Sequence, residues 1–191
     1  MKWLEEEIKS RGKILDGDIL KVNSFLNHQL DPFLLDKIAL LWYDHFNKKH
    51  VTKVLTIESS GIALATLASI RFNTNALFAK KGLSSNLGEV YKSTIHSYTK
   101  GIDSEIFVEK DYISKNDRIL IVDDFLATGS AIEGLIDIVK QSGATLVGIG
   151  IAIEKGYQGG GDKLRSLGYD VDSLEIIDSM DKDIQNIKFR R

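Results

Sequence analysis

From Leu146 to Ile153 the chain runs for eight residues without a polar side chain. A strand with one wet face alternates apolar and polar residues, so an unbroken run of this kind is buried on both faces. Four more short runs rich in β-branched or apolar residues precede it: Val51 to Ile57, Ala76 to Ala79, Ile106 to Val108 and Ile119 to Val122. Helical patterns separate them. Asp31-Pro32 gives an N-cap followed by proline at the first helical position, and Leu34, Leu35, Ile38, Leu41, Trp42, His45 and Phe46 keep one face to about residue 47. His45 is expected to pack on that face. A second helix spans about 61–71 and is apolar nearly all round. A third spans about 129–141 on Ile132, Leu135, Ile136 and Val139, closed by Gly143. Strands alternating with helices predict an α/β fold with a parallel sheet, whose ligands meet the carboxyl ends of the strands.

Composition narrows the class. With 191 residues, one proline and no repeat, the chain is expected to form a single domain. It has no cysteine, which excludes disulfides, thiolate metal sites and a cysteine nucleophile. The formal net charge of −2 argues against nucleic acid as a partner. No apolar run approaches the ~20 residues of a membrane span, and the acidic start does not resemble a signal peptide. A cytoplasmic protein with no membrane partner is expected. The four histidines are dispersed, with no metal-ligand spacing. Lys188-Phe189-Arg190-Arg191 reads as a solvated tail.

The chemistry concentrates after the fourth strand, where Ile119-Leu120-Ile121-Val122 runs into Asp123-Asp124-Phe125-Leu126-Ala127-Thr128-Gly129-Ser130-Ala131. The buried run fixes a strand, so the acid pair lies toward its carboxyl end. The Thr-Gly-Ser stretch then opens a helix whose free amides and dipole make an anion seat. Amides for a phosphate and carboxylates for sugar hydroxyls describe a sugar-phosphate site. A receiver-type acid pocket would place the pair after the first strand, and a P-loop would need a Gly-x-x-x-x-Gly-Lys-Ser/Thr string that is absent.

Residues 119–131 resemble the phosphoribosyl-pyrophosphate (PRPP) signature of the type I phosphoribosyltransferases. Residues 20–29, 56–63 and 148–155 are similar to the bacterial xanthine branch of that family. The resemblance implies a parallel-sheet core over about 31–155 and a small hood over the base, built from about 1–30 and 156–191. It implies purine salvage: N9 of xanthine displaces pyrophosphate from PRPP, with Mg2+, giving a nucleoside monophosphate. Asp123 and Asp124 would be catalytic, and Ala127, Thr128, Gly129, Ser130 and Ala131 would seat the 5′-phosphate. Ala131 stands where many relatives have threonine, so that seat should lean on backbone amides.

Further positions follow from the same resemblance. Ser59, Ser60 and Gly61 form a turn with accessible amides that would hold pyrophosphate, with Lys80 and Lys81 as its cations. Leu20, Asn27 and Lys155 would meet the base, and no residue of the chain would be a dedicated metal ligand. The polar stretch from Gly82 to Gly101 would be a flap that shields the reacting sugar from water. A symmetric homodimer is implied as well. Transfer to adenine or to hypoxanthine/guanine, a PRPP-sensing regulator and a non-catalytic sugar-phosphate binder are the competing functions.

Overall fold

The computed structural model describes residues 2–17, 19–82, 88–97, 102–183 and 185–190. Helix α1 (Lys2–Arg11) leads into a small antiparallel pair, β1 (Lys13–Leu15) and β2 (Ile19–Lys21). A π-helical turn, Asn23–Asn27, precedes α2 (Pro32–Phe46). Then follow β3 (Lys53–Ile57), α3 (Gly61–Phe72), β4 (Asn75–Lys81), β5 (Val90–Ser97), β6 (Ile102–Glu109) and β7 (Arg118–Leu126). The chain closes with α4 (Ser130–Ser142), β8 (Thr145–Lys155), α5 (Gly160–Ser166), β9 (Val171–Asp181) and β10 (Asn186–Phe189).

One sheet carries the order β10-β9-β8-β7-β3-β4-β6-β5. Its centre, from β9 to β4, is parallel, and antiparallel strands flank it on both sides. Both faces are covered, as the unbroken apolar runs require. Along β7, Leu120 and Val122 enter a core shared with α1, α2 and α3, while Ile119 and Ile121 enter one shared with α4 and β6. The Asp31 cap is made as the sequence predicts, its carboxylate accepting from the Leu34 amide at 3.2 Å. Arg11 of α1 reaches the same carboxylate at 2.9 Å and so ties the first helix to the start of α2.

Three differences from expectation have plain causes. β9 and β10, from the stretch after residue 155, extend the main sheet, with β9 pairing in parallel with β8. The supposed solvated tail is strand: Ile187 and Phe189 are buried against the core, and Arg190 is ion-paired to Asp162 and Asp178. His45 is not packed in the core. It is exposed with its ring 3.1 Å from Asp170, at the rim of the stripe, while the next residue, Phe46, takes the buried place.

Candidate active site

The acid pair lies within the last turn of pleat of β7, both side chains 5% exposed. Asp124 accepts from the Ser60 hydroxyl at 2.9 Å and from the Asn27 side-chain amide at 3.3 Å. Three segments thus meet on one carboxylate: the end of β7, the turn before α3 and the turn before α2. Asp123 takes the Asp124 main-chain N–H at 3.0 Å. Burial, and then the neighbouring Asp124 charge, push the Asp123 carboxyl well above its usual range, against a smaller opposing pull from Lys81. Asp123 therefore keeps its proton to higher pH than an exposed aspartate does.

Beyond the pair, Gly129 adopts φ +93°, a backbone that a side chain would strain, and turns the chain into α4. No side chain caps that helix. Its first amides lack intrahelical acceptors, and Thr128 and Ser130 are half-buried beside them. Ser130 Oγ already accepts the His96 main-chain N–H at 3.0 Å from β5, so its hydroxyl proton is left to donate to a phosphate. Ala127 and Ala131 complete the loop with no polar side chain, which leaves the seat to amides.

Ser59, Ser60 and Gly61 form the turn from β3 into α3, with Ser60 facing the acids and Ser59 exposed. The two lysines part company. Adjacent residues of a strand point to opposite faces. Lys81 exerts its charge on Asp123, whereas Lys80 lines a cavity of about 230 Å³ with Phe78, Phe107 and Tyr112. Lys155 ends β8 one step beyond the Leu126–Glu154 register pair, level with the start of the phosphate-type loop. Asn27 carries a buried amide oxygen with no hydrogen-bond partner. Leu20 is buried in the core, so the polar contact it can offer a base comes from its backbone.

Segments 83–87 and 98–101 of the expected flap lie outside the described residues. Between them β5 pairs along its length with β6. No local pattern signals the Asn27–Asp124 bond, which joins residues 97 positions apart. It also hid the role of Glu58, whose carboxylate takes the Lys81 amide at 2.6 Å and so pins the end of β4 to the turn before α3.

A parallel sheet covered on both faces, with a strand-borne acid pair running into an amide-lined helix start, defines the class: α/β proteins built to hold a phosphorylated sugar. Residues 26–189 match the phosphoribosyl transferase domain, and the chain belongs to that family. It is 50% identical, over the whole of both chains, to a xanthine phosphoribosyltransferase of Bifidobacterium longum subsp. infantis. Another of that name from Bacillus mycoides is 47% identical over 95% of this chain and 92% of its own. Among solved structures, adenine phosphoribosyltransferase from Thermoanaerobacter pseudethanolicus superposes with a TM-score of 0.75 at 22% identity, covering 91% of this chain and 98% of that one. The Trypanosoma brucei adenine enzyme, solved with AMP, pyrophosphate and ribose-5-phosphate, gives 0.75 at 18% identity over 91% and 78%. The structural likeness establishes the fold.

Proposed function

We propose that this chain is a purine-salvage enzyme that moves the phosphoribosyl group of PRPP onto N9 of xanthine, releasing pyrophosphate and xanthosine 5′-monophosphate. The observation that carries the reading is the Asp123–Asp124 pair, held by Ser60 and Asn27 where β7 runs toward the amino end of α4. The 5′-phosphate sits on residues 127–131, so the ribose lies over the two carboxylates. Departure of pyrophosphate leaves positive charge on the sugar ring, and a carboxylate fixed in a dry site stabilises that charge without reorganising. Ser59, Ser60, Gly61 and Lys81 take the pyrophosphate. Lys80, on the opposite face of β4, points away from the acids and lines the cavity with Phe78 and Tyr112.

Among the described residues no cluster of three or more metal-ligating side chains exists. Two acids fit a magnesium ion that keeps most of its waters and needs few protein ligands; Asp123 and Asp124 would lie beside it. When bound, it would neutralise charge on the leaving group. The exposed Phe78 and Tyr112 beside Lys80 support a homodimer across that face. No helix among the described residues is long and apolar enough to cross a membrane, and a cytoplasmic salvage role with no nucleic-acid partner follows from charge and chemistry. The hood, residues 1–30, brings Leu20 and Asn27 to the base, and Lys155 donates to its 6-oxo group.

Guanine is the second reading, for a specific reason. Asn27 commits its amide N–H to Asp124 and leaves its oxygen unpaired. That oxygen can accept from N3–H of xanthine or from the 2-amino group of guanine. Pyrophosphate release with PRPP and magnesium, run in parallel on xanthine, guanine, hypoxanthine and adenine, decides among them. Release with none of the four refutes the enzyme reading.

A further inference from the structure

Behind the phosphate-type loop lies an ion pair, its carboxylate buried and its guanidinium half-buried, that the reaction does not use directly. Glu154, the next-to-last residue of β8, is 0% exposed. Arg165 of α5 grips it with both guanidinium nitrogens, at 3.1 and 2.6 Å, and the Ser173 hydroxyl donates to the same carboxylate. The pairing continues outward: Arg165 to Asp162 at 3.4 Å, then Asp162 to Arg190 and Arg190 to Asp178 at 2.9 Å each.

Stability alone is a weak reason for such a pair. Desolvating two charges largely offsets their attraction, and apolar residues of the same volume often serve as well. What a bidentate guanidinium–carboxylate pair supplies is orientation. Two observations say what it orients. Gly161, at the start of α5, lies so close to Glu154 that a Cβ would come within 2.1 Å of the carboxylate. Its neighbour Gly160 donates its N–H to the Ala127 carbonyl at 3.1 Å, and a Cβ there would meet that oxygen at 2.3 Å. The Glu154 carboxylate thus sets the position of the glycine pair, and the glycine pair backs the loop 127–129. On the other side, Glu154 precedes Lys155. Along a strand adjacent side chains point oppositely, so fixing Glu154 inward aims Lys155 outward toward the base.

We propose that Glu154 and Arg165 are positioning residues for the transfer. They hold in one rigid piece the loop that seats the 5′-phosphate and the strand end that carries Lys155. The inference rests on the placement of phosphate at 127–131 and base at Lys155.

The test uses Arg165→Lys, which keeps the charge but loses the fork, and the double variant Glu154→Gln/Arg165→Met, which removes both charges. Steady-state kinetics are measured with PRPP and base varied separately, alongside thermal melting. Misplacing a bound group by about 1 Å can cost on the order of a hundredfold in rate. Both variants should therefore lose roughly ten- to hundredfold in kcat/KM for PRPP, while the double variant melts within a few degrees of the wild type. If the double variant does not fold, Arg165→Lys carries the test. Unchanged kinetics with a lowered melting temperature overturn the proposal and leave a structural ion pair. Thr128→Val and Gly129→Ala, the second straining the φ +93° turn that presents the amides of the loop, serve as controls on the loop itself. If they raise the KM for PRPP while the Arg165 variants do not, positioning fails alone. If they leave it unchanged, the phosphate placement fails, and the inference with it.

Discussion

The Ser60 hydroxyl donates to Asp124 Oδ1 at 2.9 Å, joining the turn that would hold pyrophosphate to the carboxylate that would face the ribose. The bond orders the side chain before substrate arrives, so no reorganisation is needed at the moment of bond cleavage.

Ser60→Ala removes one of the two side-chain donors to that carboxylate. A hydrogen bond to a charged group contributes about 1.5–3 kcal/mol, which is roughly ten- to 150-fold. The expected outcome is a fall of that order in kcat, with partial recovery in Ser60→Thr. Initial rates at saturating PRPP and base check it, and an unchanged kcat would show that Asp124 is ordered without Ser60.

Asp123 gives a prediction with a defined pH dependence. Its folded-state pKa is raised, first by burial and then by Asp124, so the folded protein holds a proton that the unfolded chain releases above pH ~4. The stability associated with the neutral form is complete below that pH and is lost as pH rises toward the folded value. Asp123→Asn removes this dependence while its side-chain oxygen still accepts the Asp124 amide. The variant should melt a few degrees above the wild type at pH 8, match it near pH 4, and be severely impaired in turnover. Melting curves across pH 4–8 (~4 being the unfolded carboxyl value) give the comparison. A variant less stable than the wild type at pH 8 contradicts the assignment.

What could be read in the sequence was what local chemistry dictates. The run at 119–122, the Asp31-Pro32 cap and the turn at Gly129 are each decided by neighbours in the chain, and each is found where expected. Less legible were β9 and β10. Asp172, Glu175 and Asp178 interrupt the apolar residues of β9, and β10 is four residues long, so neither shows a clean period. Two of these acids are met from elsewhere in the chain: Arg190 reaches Asp178 across a turn, and His45 of α2 lies 4.0 Å from Asp172. At the site the residue types were visible, but not which of them would touch. That Lys81 rather than Lys80 faces the acids follows from strand alternation, once the bounds of β4 are known.

The Asp31 carboxylate does two tasks, capping α2 and holding Arg11. Arg11 first, then the Leu34 amide, lowers its pKa. Asp31→Ala should lose about 1 kcal/mol from the cap and little more from a half-exposed ion pair, lowering the melting temperature by roughly 2–4 °C. Because the folded pKa is depressed, this contribution is present above pH ~4 and disappears as pH falls through the folded value. The gap between variant and wild type should therefore close in acid. The variant's kcat should stay near wild type, since neither task touches the acid pair.

Base choice is the sharpest test of the hood. Asn27 gives its N–H to Asp124 and keeps a buried oxygen without a partner, so in the proposed site it would stand between the base and the acid. Lys155, at the end of β8, would meet the 6-oxo side on the same reading. Xanthine and guanine share the 6-oxo group, so Lys155→Ala should weaken both by a similar factor and adenine hardly at all. Position 2 differs: xanthine carries an oxygen beside N3–H, guanine an amino group beside a bare N3. On the proposed placement, removing the Asn27 amide withdraws a side chain that senses that edge. A mismatched or unpaired buried polar group costs about 1–3 kcal/mol, roughly ten- to 150-fold. Asn27→Ala should thus lower kcat for every base, through the lost bond to Asp124, and also shift the xanthine-to-guanine ratio of kcat/KM by at least about tenfold. Turnover measured on the four purines separates the two effects. A common loss with an unchanged ratio would leave Asn27 as a support for Asp124 and place the base-selecting group elsewhere.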